Sequence, residues 1–341
     1  VVERIRVRNV YPLAAADRGL LERVDSRLEF VHEGEDTSAW AASLRDPDVQ
    51  IIIGSYPPPD LEATPRLRWL VTAGAGVDYL VPTDPWGHGL TVTNGSGLHA
   101  VHIAEYVLGA ALFARQRVVA RLVDHVAHRW ASDTDRMSVA GQRLRGTTAA
   151  IIGYGSIGRE VARLLHAFGV RILALKANPH ERIDTGWREV GTGDIEGLLP
   201  ARFAGPNELL HVVAQADLVV LTLPGTLRTA GLVDAQVLAA MRPDAWLVNV
   251  GRGSLVDESA LAAALRAGRI GGAVLDVTVA EPLPPESPLW DLPDCLVTAH
   301  ISGTGDVDEL WHQSALLFAE NLRRDLVGET LLNITSGATG Y

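Results

Sequence analysis

Short apolar, β-branched runs alternate with helical or polar stretches along nearly the whole chain. IRVRNV (5–10), LEFVH (28–32), VQIIIGS (49–55), RWLVTA (68–73) and LTVTN (90–94) read as strands with helices or loops between them. A long helical stretch from about His99 to Arg129 follows. A second series then begins with TAAII (148–152), RILAL (171–175), DLVVLTL (217–223), AWLVNV (245–250), GAVLDV (272–277) and CLVTA (295–299). These runs are apolar almost throughout, the pattern of a parallel sheet covered on both faces. Helical spacing returns in DELWHQSALLFAENLRRDLVG (308–328). The pattern predicts an α/β protein with two doubly wound parallel sheets, and no internal repeat relates the two series.

A length of 341 residues suits two domains, each able to bury a core of its own. Apolar residues make up 47% and charged residues 21%, and the 33 glycines and 18 prolines are dispersed, as in a soluble globular protein. A formal net charge of −11, without clustered Lys or Arg, argues against nucleic acid as a partner and favours a small substrate. The single cysteine leaves no intrachain disulfide framework and no cysteine-rich metal site, so a cytoplasmic location is expected. No membrane association is expected either. The longest apolar run, VLGAALFA (107–114), is far too short to span a bilayer, and VVERIRVRNV lacks the layout of a signal peptide.

The candidate chemistry starts at IIGYGSIG (151–158), a G-x-G-x-x-G between a β-branched run and a helical pattern, the context a dinucleotide fingerprint requires. Gly153 permits the tight turn, Gly155 lets the backbone approach a pyrophosphate, and Gly158 allows close packing of helix on strand. The helix N-terminus adds free N–H groups and a positive dipole end. At the end of the next strand an NAD-preferring domain carries an acid for the ribose hydroxyl. Here RILALKANP puts Lys176 in that place, with Asn178 and His180 nearby. An ammonium attracts a 2′-phosphate, so NADP is the preferred cofactor and NAD the alternative.

Three further stretches, NVGRGSLVD (249–257), LDVTVAEP (275–282) and TAHISG (298–303), place an Arg, a Glu and a His just after strands. Hydride transfer to a carbonyl carbon needs a proton donor at the oxygen and a cation for a substrate carboxylate. His300 suits the first role, with Glu281 placed to favour its charged form. Arg252 suits the second, because its planar fork matches a carboxylate. In open parallel sheets ligands bind outside the carboxyl ends of the strands, where Arg252, Asp276, Glu281 and His300 all fall.

These motifs, in this order and spacing, resemble the D-isomer-specific 2-hydroxyacid dehydrogenases. The likeness is strongest from Ala149 to Gly303, through GYGSIGREVA, LTLPGTLRTAGLVD, NVGRGSLVDESAL, LDVTVAEPLPPESPLW and TAHISG. The resemblance implies two Rossmann-like or flavodoxin-like domains, with the cofactor domain (102–302) inserted into a discontinuous substrate domain (1–101 and 303–341) and a cleft between them. It implies that Arg252 binds the substrate carboxylate and carbonyl, that His300 is the acid/base, and that Glu281 orients and charges it. VTAGAGVDYL is similar to the family's substrate loop, so Ala75, Gly76 and Val77 are expected to offer backbone N–H groups to the carboxylate. Cofactor contacts are expected at Gly153, Gly155, Ser156, Ile157, Gly158, Lys176, Leu223, Pro224, Thr229, Val250, Gly251, Arg252, Asp276, His300 and Gly303. The implied activity is an NAD(P)-dependent 2-keto acid reductase, working in reverse as a D-2-hydroxyacid dehydrogenase, in a homodimer. Substrate loops poor in aromatics and lacking a basic cluster point to unphosphorylated acids such as glyoxylate or hydroxypyruvate. The alternatives are phosphite oxidation and a cofactor-sensing corepressor role; corepressors of this architecture carry tails and a peptide groove, whereas this chain stops soon after its last helix.

The sequence departs from the family pattern at Lys176, at Thr278, where an aromatic often follows LDV, and in TAH for TPH. Residues 177–206, rich in Gly, Pro and charge, exceed a typical connection and read as an excursion on the adenosine side or a tolerated surface insertion. His99, His102 and Glu105 share a helix face at metal-ligand spacing, but packing at the domain boundary is the expected role and no metal is expected. Trp311, in the last helix, is expected to serve core packing.

Overall fold

The computed structural model describes residues 3–33, 46–138, 140–292 and 294–337. The ends of the expected substrate domain, residues 1–2 and 338–341, lie outside them. Two compact units emerge: unit 1 comprises Val1–His99, Thr185–Val190 and Thr304–Tyr341, and unit 2 comprises Ala100–Asp184 and Gly191–Gly303. Residues 185–190, which the sequence places within the cofactor domain, cluster with unit 1.

Unit 1 is built on a five-stranded sheet of β1 (Ile5–Asn9), β2 (Leu28–His32), β3 (Val49–Ile53), β4 (Trp69–Val71) and β5 (Thr91–Thr93), in the order β2-β1-β3-β4-β5. All its pairings are parallel. Successive side chains of a strand point to opposite faces, and β3 shows why its run is apolar without alternation. Ile51 and Ile53 join a core with Leu21, Leu317, Phe318 and Leu322, whereas Ile52 joins the opposite core with Leu70, Leu80 and Val92. The first core lies under two helices, Ala15–Glu22 and Val307–Val327. The second of these starts on Asp306, whose carboxylate accepts from the Asp308 and Glu309 amides, and ends on Gly328 in the left-handed region.

Unit 2 holds a seven-stranded parallel sheet: β6 (Thr148–Ile152), β7 (Arg171–Leu175), β8 (Arg202–Ala204), β9 (Leu218–Leu221), β10 (Trp246–Asn249), β11 (Gly272–Leu275) and β12 (Cys295–Val297). Their order is β12-β11-β10-β9-β6-β7-β8. Here too the apolar runs feed two cores, with Ala150, Ile152, Val219 and Leu221 on one face and Ala149, Ile151, Leu218 and Val220 on the other. The second face is covered in part by the helices Ala100–Arg115 and Ser156–Ala167.

Two features differ from the sequence reading. The long helical stretch divides into Ala100–Arg115 and Val118–Val126, because Arg117 takes a left-handed conformation (φ 50°) that no α-helix continues through. The seventh strand, β8, falls inside the 177–206 excursion. At three residues, between Pro200 and Gly205, it is too short to show an apolar period, and it forms through backbone pairing with β7.

Phe318 is fully buried between the unit 1 sheet and its helices. Phe318→Ala is expected to destabilise this unit by about 3–5 kcal/mol through lost burial and a residual cavity, read as a lowered midpoint in denaturant unfolding.

Candidate active site

Because the unit 2 strands are parallel, their carboxyl ends share one edge, and the sheet order sets which residues are neighbours there. Along that edge His300 follows β12, Asp276 follows β11, Val250, Gly251 and Arg252 follow β10, Leu223 and Pro224 follow β9, Gly153 follows β6, and Lys176 follows β7. The glycine motif lies at the switch point, where the strand order runs outward from β6 to β9 on one side and β7 on the other. Gly153 has φ 105°, open to glycine alone at little cost, and a Cβ on Gly158 would lie 2.1 Å from the Gly153 carbonyl oxygen. A Cβ on Gly155 would meet nothing within 4 Å. Gly155 is also the N-cap of the helix Ser156–Ala167, with no side-chain cap on the first-turn amides. Open space at Gly155, in front of a helix N-terminus, suits a pyrophosphate.

Asp276 organises the neighbouring strand ends. Its side chain is almost fully buried and accepts hydrogen bonds from Thr298 Oγ1 (2.6 Å) and from the amides of Ile301 (2.8 Å) and Ser302 (2.9 Å). Burial alone would push this carboxyl up, but the bonds from Ser302, Thr298 and Ile301 outweigh it and hold the group below the usual carboxylate range. The hydroxyl of Tyr106 lies 2.7 Å from Thr298 Oγ1, and the amide of His300 donates to the Asp276 carbonyl (2.8 Å). His300 is thereby held at φ 53°, a left-handed conformation in which histidine is one of the more tolerated side chains. Its Nδ1 lies 2.8 Å from Glu281 Oε2, and the other Glu281 oxygen accepts from the Thr278 amide (3.1 Å). Both side chains keep substantial exposure.

On the next strand, Asn249 braces the Arg252 turn. Its Oδ1 accepts from the Gly251 amide (3.1 Å) and its Nδ2 donates to the Arg252 carbonyl (2.9 Å). Arg252 is half-buried and donates to the Gly251 carbonyl (2.9 Å). The loop after β9 closes on itself through Thr229, whose hydroxyl donates to the Pro224 carbonyl (2.7 Å) and accepts from the Thr226 amide (2.9 Å). Gly303 is the last residue of unit 2, directly after the Asp276-bound Ser302.

Lys176 is half-exposed and donates to the Glu181 carbonyl. Partial burial and the nearby Arg159 cation lower its pKa from the usual lysine value. Asn178 pairs with Glu181 (2.8 Å) and orders the His180 amide (3.1 Å).

In unit 1, the loop after β4 carries Ala75, Gly76 and Val77. Among the described residues none of their three amides has a hydrogen-bond partner. The Ala75 carbonyl accepts from Asn94 Nδ2, and the Gly95 amide donates to the Gly74 carbonyl (2.9 Å). The surroundings of this loop are more aromatic than its sequence suggests. Tyr79 and Tyr56 meet edge to face with ring centroids 5.1 Å apart, and Thr72 Oγ1 lies 2.9 Å from the Tyr79 hydroxyl. Tyr11 packs its ring against that of Trp311 (centroids 4.9 Å apart), and its hydroxyl lies 3.2 Å from Ser55 Oγ and accepts from the Ala73 amide (3.0 Å). Burial pushes the Tyr79 phenol up to about 12, so it stays protonated at neutral pH.

A profile of the D-isomer specific 2-hydroxyacid dehydrogenase NAD binding domain matches residues 108–302. The chain belongs to the D-isomer-specific 2-hydroxyacid dehydrogenase family. A D-3-phosphoglycerate dehydrogenase of Mycobacterium leprae is 31% identical over 304 residues, 87% of this chain and 52% of that protein. This chain therefore spans about half the length of such relatives. A glyoxylate reductase of Thermofilum pendens is 30% identical over 89% of this chain and 83% of its own length. Among solved structures, a family member from Xanthobacter autotrophicus Py2 in complex with NADPH and MES superposes with a TM-score of 0.78 at 28% identity, covering all of both chains.

Within the family frame, the departure at Thr278 has a local explanation, since its amide supports Glu281 and its hydroxyl donates to the Ala280 carbonyl (2.8 Å). Sequence reasoning passed over Tyr106, Thr298, Ser302 and Asn249. Only Asn249 left a signal, as a polar residue closing an apolar strand just before a glycine turn. Among the described residues no three His, Cys, Asp or Glu side chains gather as a group that could hold a metal ion. No helix among them is long and apolar enough to cross a membrane.

Asp276→Asn keeps the shape of the side chain but turns an amide N–H toward donors. At pH 7 it is expected to cost about 1–3 kcal/mol. Because the folded carboxyl lies below its unfolded value near 4, its stabilisation is present above that value and is lost as pH falls through the folded one. The Tm gap between wild type and variant in calorimetry is therefore expected to narrow in acid.

Proposed function

We propose that the chain is an NAD(P)-dependent 2-keto acid reductase, run in reverse as a D-2-hydroxyacid dehydrogenase, and that NADPH is its preferred reductant. The observation that carries this reading is the hydrogen-bonded His300–Glu281 pair, standing on the sheet edge that also holds the glycine motif and Arg252. Reduced nicotinamide, when bound, supplies the hydride to the C2 carbonyl carbon. Protonated His300 gives its proton to the carbonyl oxygen as that carbon becomes tetrahedral, and Glu281 fixes the ring through Nδ1 so that Nε2 faces the substrate. Arg252 pairs with the carboxylate and carbonyl oxygen, and the three unpartnered amides of Ala75, Gly76 and Val77 offer the carboxylate a second set of donors. In the oxidative direction each step reverses.

NADPH is favoured because Lys176 brings a cation to the end of β7 where a carboxylate would repel a 2′-phosphate. The lysine must leave the Glu181 carbonyl to do so. Support from relatives is consistent: a 28% identical structure from Sinorhizobium meliloti, TM-score 0.68, is named an NADPH-dependent glyoxylate/hydroxypyruvate reductase. Glyoxylate and hydroxypyruvate are the first substrates to try, and a cytoplasmic homodimer is the expected form.

The test is loss of reduced-nicotinamide absorbance with NADPH and NADH in parallel against glyoxylate, hydroxypyruvate, pyruvate and bulkier 2-keto acids. Silence across the panel with cofactor bound would sink the reading in favour of phosphite oxidation or cofactor sensing. His300→Ala is expected to lower kcat by roughly 10²–10⁴-fold while cofactor affinity persists, and near-normal turnover would remove His300 from the chemistry. Lys176→Asp is expected to invert the NADPH/NADH ratio of kcat/KM; an unchanged ratio would show that another group reads the phosphate.

A further inference from the structure

The 177–206 excursion is rooted on the glycine-motif helix. Tyr154 donates to Asp194 Oδ2 (2.7 Å), and the buried Arg159 donates to the carbonyls of Asp194 and Arg182 (2.6 Å to the latter). Glu160, almost fully buried, accepts from the Gly193 amide (2.6 Å). Asp194 also caps the turn at Leu198 and Leu199, and the Asp184 amide donates to the Ile195 carbonyl (2.8 Å), pinning the two feet together. Three buried side chains, one from the glycine motif and two from the helix it opens, thus anchor the segment.

Between those feet the chain leaves unit 2, and residues 185–190 cluster with unit 1. There Trp187 packs against the core that holds Phe318 and Leu98. Its carbonyl lies so close to Gly97 (φ 99°) that a Cβ on that glycine would fall 2.1 Å from the oxygen. Its amide donates to Asn333 Oδ1 (3.2 Å). Asn333, itself left-handed (φ 57°), donates through Nδ2 to the carbonyls of Asn94 (3.1 Å) and Ser96 (2.8 Å) and accepts the Asn94 amide on its own carbonyl (3.1 Å). Asn94 in turn donates to the Ala75 carbonyl, and Gly95 to that of Gly74. The bonds form an unbroken path from Trp187 to the loop that carries the three unpartnered amides.

We infer that residues 185–190 are a strap whose Trp187, acting through Asn333 and Asn94, positions the Ala75–Val77 loop for the substrate carboxylate. Trp187 is thus a positioning residue, supplied by a segment whose feet stand on the cofactor-binding helix. The inference rests on the reading of that loop as the carboxylate site. Without the strap, Asn333 loses a donor and Gly97 its cover, so the Asn94–Gly95 brace and the loop lose their reference. Misplacement of a binding group by a fraction of an ångström weakens substrate binding far more than it weakens cofactor binding elsewhere.

The test replaces residues 185–190 by a six-residue Gly-Ser segment in the full chain, with Asn333→Gly as a second variant that keeps the left-handed backbone and removes the bridging amide should the first not fold. Two readouts are taken. The first is the amide resonances of Ala75 and Gly76, with and without oxalate as a carboxylate probe. The second is steady-state kinetics on whichever 2-keto acid the wild type reduces. The expected result is displaced Ala75 and Gly76 resonances, weaker oxalate binding, and KM raised about tenfold with kcat and NADPH affinity within about twofold. Resonances and oxalate affinity identical to wild type would overturn the inference. A parallel fall in Tm, kcat and NADPH affinity with KM unmoved would also overturn it, as a merely structural role. If the wild type reduces no 2-keto acid, the enzymatic reading fails by itself, and the resonances still decide whether the strap positions the loop.

Discussion

A carboxylate with no exposure to speak of, Asp276, ties the end of β11 to the segment that follows β12. A buried charge is tolerable only when its lone pairs are taken up, and Asp276 satisfies this with one hydroxyl and two consecutive amides. Those bonds fix the backbone on both sides of residue 300, and the Asp276 carbonyl takes the His300 amide. The backbone of His300 can then hold a left-handed conformation, and its imidazole reaches Glu281 while staying half exposed. Rigidity comes from beneath and leaves the titratable pair open to solvent and ligand. Tyr106, from a distant helix, secures the same node through Thr298.

The parallel sheet supplies the wider constraint. Parallel strands need crossover connections, so every strand of unit 2 delivers its carboxyl end to the same edge. Six adjacent strands there present His300, Asp276, Arg252, Pro224, Gly153 and Lys176 in spatial order, although their order along the chain is different. Unit 1 repeats the logic on a smaller scale. Among the described residues the loop after β4 has three amides without partners, and a set of hydroxyls from Tyr11, Ser55, Thr72 and Tyr79 stands at the ends of β1, β3 and β4 and beyond.

The excursion after β7 shows how a segment rich in Gly, Pro and charge can be firmly held. Its order comes from buried polar groups, Arg159, Glu160 and Asp194, each of which would be costly to strand without partners. An arginine ring contact with Tyr154 (5.0 Å) adds to the same node. The segment also contributes a strand to the sheet and a tryptophan to the other unit's core.

What the sequence determined by itself is whatever local chemistry encodes. The strand runs follow from apolar residues at successive positions, the glycine turn from a φ that only glycine adopts readily, and the last helix from its period and its Asp306 and Gly328 ends. The candidate groups Arg252, Glu281 and His300 were legible because each follows a strand, and the rule for parallel sheets then assembles them on one edge. Tertiary structure alone decided the rest. The partners of Asp276 lie 22 residues or more away in sequence, and they are one threonine hydroxyl and two main-chain amides. Strand β8 pairs through backbone groups that every residue carries. Trp187 reaches Asn333 across 146 residues by a main-chain amide, which leaves no mark in the letters of the chain. Contacts of that kind are set by which distant segments the folding of a unit brings together, and a one-dimensional pattern holds no record of them.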